Sequence, residues 1–262
     1  MSTTFDSIDG ATSRALVGGV EAFRFNSSGI ISGGMAGFRN RIINGNLAVN
    51  QRVVSGAVTL AAGAYGHDRF KAGVGGCTYT FAASANGMML TITAGTLLQI
   101  IEGANLEGGA MKLSWFGTAT GRVDTGAYGA SGVVGTAVAG TNQSVEFGTG
   151  TLARVQYELG GIATVFEQRP IELILCQRYL TTFTLSNMQM YAQSSGNYNI
   201  GYSWFPVQMR ASPTITATNL GYANASAWSA SSVTVNNYFN SVTAAAAGNI
   251  NLSGTFFASA EL

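Results

Sequence analysis

The chain has 262 residues and a formal net charge of +1; 47% of it is hydrophobic and only 10% charged, against roughly 25% charged in an ordinary soluble domain. The length allows one large domain or two smaller ones with packed cores. The charge balance excludes the basic stripe of a nucleic-acid binder, and no apolar run approaches the roughly 18 residues that a bilayer span needs. The N-terminal residues 1–6 lack the basic-then-apolar pattern of a signal peptide, so neither that secretion route nor membrane insertion is expected. With so few charges, the surface must be covered by hydroxyls, amides and backbone, which suits packing against identical copies or contact with neutral hydroxylated ligands.

Residues 1–38 are rich in Gly and Ser. Two extended pieces, Val20–Phe25 and Gly29–Ser32, flank a turn at Asn26-Ser27-Ser28, and this arm is expected to pair with neighbouring subunits or dock to something larger. From residue 39 to 170 the signals are those of strands. Cys77–Phe81 alternates polar and apolar residues, Asn86-Gly87 reads as a two-residue turn with positive φ, and Met88–Thr93 returns. Further strands are predicted at Leu97–Glu102, Met111–Phe116, Ser144–Phe147 and Thr151–Leu159. Short strands at this spacing, separated by Gly, Thr and Asn, indicate a β-sandwich.

Between residues 171 and 183, Ile171, Ile174, Leu175, Arg178 and Tyr179 recur at helical spacing behind Pro170, which predicts one short helix within a connector at 171–186. Strands resume in a C-terminal β domain over 187–262. Tyr198, Ile200, Tyr202 and Trp204 read as one face of a strand, with Asn199, Gly201 and Ser203 on the other. Pro213–Thr218, Ser232–Asn236, Tyr238–Thr243 and Asn249–Leu262 continue the pattern. The expected fold class is all-β: two sandwich or jelly-roll-like domains joined by one short helix and preceded by an extended arm.

Four patches carry a resemblance. Asn40 to Arg52 (NRIINGNLAVNQR), followed by Asp68-Arg69-Phe70, is similar to the opening of a β-sandwich module of bacteriophage and prophage tail-fibre proteins. Val155 to Pro170 (VQYELGGIATVFEQRP) resembles that module's closing strand and turn. Glu172 to Tyr179 (ELILCQRY) and Phe205 to Thr214 (FPVQMRASPT) resemble the segments that lead into its C-terminal domain. The family pattern often has tryptophan where this chain has Asn50 and Phe70. The resemblance covers residues 40–262, and four patches in the same order make it specific. It implies a carbohydrate-binding-like module in an oligomeric virion appendage, expected here as a homotrimer. Residues 1–38 would hold other virion proteins, and a host surface polysaccharide or glycan would be the ligand. The protein would sit in the virion after assembly in the host cytoplasm, with no nucleic-acid partner.

The residues themselves offer little chemistry. His67 is the single histidine and reads as a turn or surface residue, and Cys77 and Cys176 read as buried free thiols. No phosphate-binding or nucleophile-elbow motif is present. Glu102 and Glu107 flank a short loop and read as a solvated turn rather than a glycosidase pair. Asp68-Arg69 and Glu167 with Arg169 read as paired charges that hold the ends of the module. No cofactor, metal or catalytic residue is expected, and the chain is read as a non-enzyme. Trp115, on an alternating strand, reads as core. Trp228, in a stretch of small residues taken for a loop, is the candidate for stacking on a sugar ring, with Tyr222 and Tyr238 as companions. The leading expectation is a receptor-binding tail-fibre subunit. A structural decoration protein is the alternative, and a polysaccharide depolymerase comes third.

Overall fold

The computed structural model describes residues 3–7, 13–17, 20–26, 29–33 and 38–262. Among them the structure is nearly all antiparallel β, with one α-helix. The chain divides into two compact units. The first comprises Met1–Ala48, Ser55–Tyr65 and Phe70–Arg169; the second comprises Val49–Val54, Gly66–Arg69 and Pro170–Leu262.

In the first unit, β1 (Thr3–Ser7), β2 (Ser13–Val17), β3 (Val20–Asn26) and β4 (Gly29–Gly33) form a four-stranded sheet in chain order. The two extended pieces expected in the arm are β3 and β4, and they pair with each other. Ser27 and Ser28 of the expected turn lie outside the described residues. The remaining strands are β5 (Val58–Leu60), β6 (Lys71–Ser84), β7 (Gly87–Ile101), β8 (Gly109–Phe116), β9 (Gly121–Val123), β10 (Val133–Ala137), β11 (Gln143–Phe147) and β12 (Gly150–Leu159). They make one eight-stranded sheet with the path β10-β8-β12-β7-β11-β9, and β6 and β5 branch from β7. Strand β7 is the axis: Leu90–Ile92 pair with β6 on one edge and β12 on the other, and Leu97–Ile101 pair with β11. The two strands predicted at 88–93 and 97–102 are therefore one strand. The β6–β7 hairpin forms as expected, but Ser84 pairs with Gly87, so the turn residues are Ala85 and Asn86. Only Gly87 takes a positive φ, 91°, as in a turn closed by a glycine bulge.

The interior of this unit is held by side-chain amides as well as apolar packing. Asn40 donates from Nδ2 to the Val155 carbonyl at 3.0 Å and accepts at Oδ1 from the Ile42 and Tyr157 amides. Its own backbone N–H donates to Glu167 Oε2 at 2.7 Å, and its carbonyl accepts from Arg169 Nη1 at 2.7 Å. Gln99 makes a two-way pair with the Ile43 backbone. Glu158 accepts from Gln156 Nε2, the Thr164 amide and Thr164 Oγ1 at 2.6–2.8 Å. These buried polar groups are satisfied, which is the condition for keeping them in a core. Trp115 is buried as expected, edge-on to Phe147 with centroids 5.3 Å apart, and its indole N–H donates to the Ala119 carbonyl.

The second unit opens with α1 (Glu172–Gln177), much shorter than the helix expected over 171–183. Leu180 already begins β13 (Leu180–Ala192), so residues 180–186 of the expected helical connector are strand. The buried face of α1 is Glu172 and Cys176, while Leu173 and Ile174 are about half exposed. The apolar spacing that suggested a longer helix does not mark its packed side. Then follow β14 (Gly196–Trp204), β15 (Thr214–Ala223), β16 (Ala225–Ser231), β17 (Asn237–Ala244) and β18 (Gly248–Ser259). They form two three-stranded sheets, β13-β18-β15 and β14-β17-β16. Ala192, Ile200, Val242, Ala244, Ile250, Leu252 and Phe256 form the core to which both sheets contribute. A second cluster gathers Phe205, Met209, Tyr238, Ala258 and Ala260. This is a β-sandwich, as the strand spacing predicts. Residues 232–236, expected as a strand, are instead the connection between β16 and β17.

Candidate functional site

Five charges of the second unit, Arg52, Asp68, Arg69, Arg210 and Glu261, gather in one place. From Leu180 to Leu262 the only charged residues are Arg210 and Glu261. Glu261 is bonded by Arg69 Nη1 and, at 3.3 Å, by Arg52 Nη2, while the Arg69 guanidinium lies 3.6 Å from the centre of the Tyr179 ring. Asp68 accepts from the Gln51 amide at 2.8 Å and from Gln51 Nε2 at 2.5 Å, and Gln51 also donates to the Leu180 carbonyl. Arg210 donates to the Ala260 and Glu261 carbonyls. Burial of Asp68 pushes its carboxyl pKa up against the opposing pull of the Gln51 hydrogen bonds and Arg52. The motif residues Gln51, Arg52, Asp68 and Arg69 thus build a buried lock inside the second unit; they are not an end-clamp of the first. Glu167 and Arg169 both bond the Asn40 backbone, which ties the closing segment of the first unit to its opening. His67 is 1% exposed, not a surface residue, and burial lowers its pKa to about 4. Cys77 and Cys176 are free and buried, with burial raising both thiols. Glu107 is ion-paired with Arg41.

The three aromatic candidates occupy three different settings. Tyr238 is fully buried beside Phe205 and Phe183 and belongs to the core, because its position on β17 points between the sheets. Trp228 lies on strand β16, not in a loop; its ring packs edge-on against Phe256 at 5.1 Å and its indole N–H donates to Asn240 Oδ1 at 3.0 Å. Tyr222 is exposed on β15, in the other sheet. The structure does not bring these three together.

What it does assemble is the outer face of β14-β17-β16. Cross-strand register aligns Asn197–Thr243–Ala227 and Asn199–Ser241–Ser229 in successive rows. Between Asn199 and Gly201 the register slips by one residue, and Gly201 adopts φ 153°, a backbone conformation that favours glycine. This bulge changes the phase of the strand. Before it Tyr198 and Ile200 point inward; after it Ser203 is buried while Tyr202 and Trp204 face outward, 49% and 68% exposed. The expectation that Tyr198, Ile200, Tyr202 and Trp204 share a face fails here, because strict alternation breaks at a bulge.

The outer face holds a groove of about 570 Å³ lined by Asn197, Asn199, Ser229, Ser231, Ser241 and Thr243, with Trp228 and Val242 beneath it. Its polar groups form chains across the strands. Ser241 Oγ donates to Asn199 Oδ1 at 2.5 Å and shares a 2.8 Å hydrogen bond with Ser231, and Thr243 Oγ1 donates to Asn197 Oδ1 at 2.7 Å. With the amide oxygens so engaged, the Nδ2 groups of Asn197 and Asn199 are the donors of these two side chains. No ionisable side chain other than tyrosine lies on β14, β16 or β17, so these strands offer neutral hydrogen bonds and apolar contact alone. Sequence reading missed it for lack of the register; the signal present was the Asn-x-Asn of β14 and the Ser/Thr alternation of β17.

No protein-family model and no curated protein matches the chain. Two solved structures of discoidin II from Dictyostelium discoideum are similar at 9% identity. The recombinant protein in its native form is covered over 82% of its length by 71% of this chain, with a TM-score of 0.23. The wild-type protein is covered over 92% by 82% of this chain, with a TM-score of 0.24. Likeness at that level adds nothing to the argument from the site.

Proposed function

We propose that the chain is a bacteriophage virion protein, a tail-fibre or receptor-binding subunit, that attaches to a host-surface glycan through the groove on β14-β17-β16. The observation that carries the reading is that groove: amide and hydroxyl rows on a rigid sheet, with every charge of the second unit held elsewhere. Neutral hydroxylated ligands match such a surface, since they present many weak donors and acceptors and no charge. The family resemblance of residues 40–262 supplies the virion context. Homotrimer formation and attachment of residues 1–38 to other virion proteins belong to the same proposal. Three linked copies would convert weak single-site binding into useful avidity, by about 10²–10⁴-fold. The proposal includes no catalytic step.

The test is binding of the purified full chain to an array of bacterial surface polysaccharides, alongside its mass by light scattering. Ser241→Arg, which fills the groove and adds a charge, is expected to weaken binding at least tenfold. Thr255→Arg, on the outer face of the other sheet, is expected to leave it unchanged. A chain that assembles but binds nothing on the array would instead be a decoration protein.

A further inference from the structure

We infer that Tyr202, Trp204 and Phe239 form an aromatic subsite continuing the groove, so that the ligand is an uncharged polysaccharide strand lying along β14 with a sugar ring stacked on Trp204. The inference rests on the proposed glycan attachment and names the ligand class and the residue that grips it.

The geometry begins with the bulge at Ile200–Gly201. By shifting the phase of β14 it sets Tyr202 and Trp204 on the same side as Asn197 and Asn199. Register then adds a row Tyr202–Phe239–Ser231 directly after the row Asn199–Ser241–Ser229, followed by Trp204–Asn237. One face thus runs from amides and hydroxyls to aromatics without a break. At about 3.3 Å per residue, Asn197 and Trp204 stand roughly 20 Å apart along the strand, enough for several sugar rings. The aromatic end is built rather than incidental. The Tyr202 ring sits 3.6 Å from the centre of Phe239, half-buried beside it, and Trp204 follows at 5.8 Å. Phe239 holds Tyr202 in place, while Trp204 offers the most exposed aromatic face of the unit.

The occupant follows from chemistry. Sugar rings have an apolar C–H face that stacks on indole or phenol and a rim of hydroxyls for amides and serines. Both kinds of partner lie here in one line. An acidic polysaccharide would need a cation, and the strands of this face have none. Arg52 and Arg69 are committed to Glu261, and Arg210 to the Ala260 and Glu261 carbonyls. A charged peptide is excluded on the same ground. A second copy of the chain is the competing occupant, and the solution mass separates it from a glycan.

The experiment uses the full chain against neutral polysaccharides (dextran, mannan and neutral bacterial O-chains) and acidic ones (hyaluronan and polysialic acid), by affinity electrophoresis and tryptophan fluorescence. The chain is expected to bind at least one neutral polymer and no acidic one. Trp204→Ala should lower that affinity at least tenfold at unchanged melting temperature, and bound ligand should shield Trp204 from acrylamide, seen as lost protection in Trp204→Phe. If Ser241→Arg abolishes binding and Trp204→Ala does not, the aromatic subsite is overturned while glycan attachment stands. Preference for an acidic polymer also overturns it. If nothing binds and Trp204→Ala lowers the solution mass, the face is an interface between copies and the inference fails. If nothing binds and the mass is unchanged, both the inference and the attachment reading fall.

Discussion

The two units place their polar groups in opposite ways. The first turns amides and carboxylates inward, where Asn40, Gln99, Gln143, Gln156 and Glu158 are buried and bonded. The second keeps its sandwich core apolar but for Asn240, Ser203 and Thr181, gathers five of its charges into one lock, and spreads neutral amides and hydroxyls over its outer sheets. A buried network fixes one arrangement, because each partner lost leaves another unsatisfied. An outward row of hydroxyls loses little when one partner is removed, because water takes its place. The difference separates a unit whose polar groups are engaged inside from one that leaves them on its outer sheets.

That contrast can be broken most severely at the lock. Arg69→Ala leaves Glu261 buried without its main cation and removes the cover from Tyr179, and it is expected to cost about 3–5 kcal/mol. Denaturant unfolding should show the loss in the fluorescence of Trp204 and Trp228 while Trp115, in the first unit, is little affected. A merged, equal shift in all three would sink the separation.

The pH dependence should follow His67. Its folded pKa, held near 4 by burial, lies below the ordinary 6.5. Between those values the unfolded chain binds a proton that the folded chain does not, so stability falls as pH drops from about 6.5 to 4, by about 2–3 kcal/mol in all. Asp68, whose carboxyl is pushed up by burial, acts in the other direction and blunts the acid end. His67→Gln should flatten the curve; a slope unchanged in that variant would remove His67 as its source.

The smallest effects sharpen the inside-outside difference. Glu158→Ala strips acceptors from Gln156 and Thr164 and should cost about 1–3 kcal/mol. Thr255→Ala, on the outer face of β18 beside Thr184, should stay within about 0.5 kcal/mol. Comparable losses in the two variants would mean that the outer hydroxyls are structural after all.

Much of this was legible in the sequence, and what was not has physical reasons. The strand at Met111–Phe116 was visible because its alternation is unbroken, and β12 was found despite the register shift between Ala153 and Gln156. β14 was found but its faces were misassigned, since one inserted residue inverts every side chain after it and leaves no mark in composition. β16 passed for a loop because Ala and Ser carry weak strand preference; pairing with β17 and the burial of Trp228 decide its conformation. The longer helix was expected because Arg178 and Tyr179 fit a helical repeat, whereas Tyr179 is placed by the Arg69 guanidinium above its ring. Nothing local announces that Gln51, Arg52, Asp68 and Arg69 serve the distant end of the chain. The groove depends on three strands in register, and no single segment contains it.

The composition of the second unit bears on how the protein is made. Val49–Val54 and Gly66–Arg69 leave the ribosome more than a hundred residues ahead of the rest of that unit, and Glu261, their partner, follows Arg69 by 192 residues. Two short loops therefore wait through the synthesis of nearly two hundred further residues before Glu261 can join them. Cutting the gene at residue 170 would deliver a C-terminal fragment without Arg52, Asp68 and Arg69. The two units share one folding history although each has its own core.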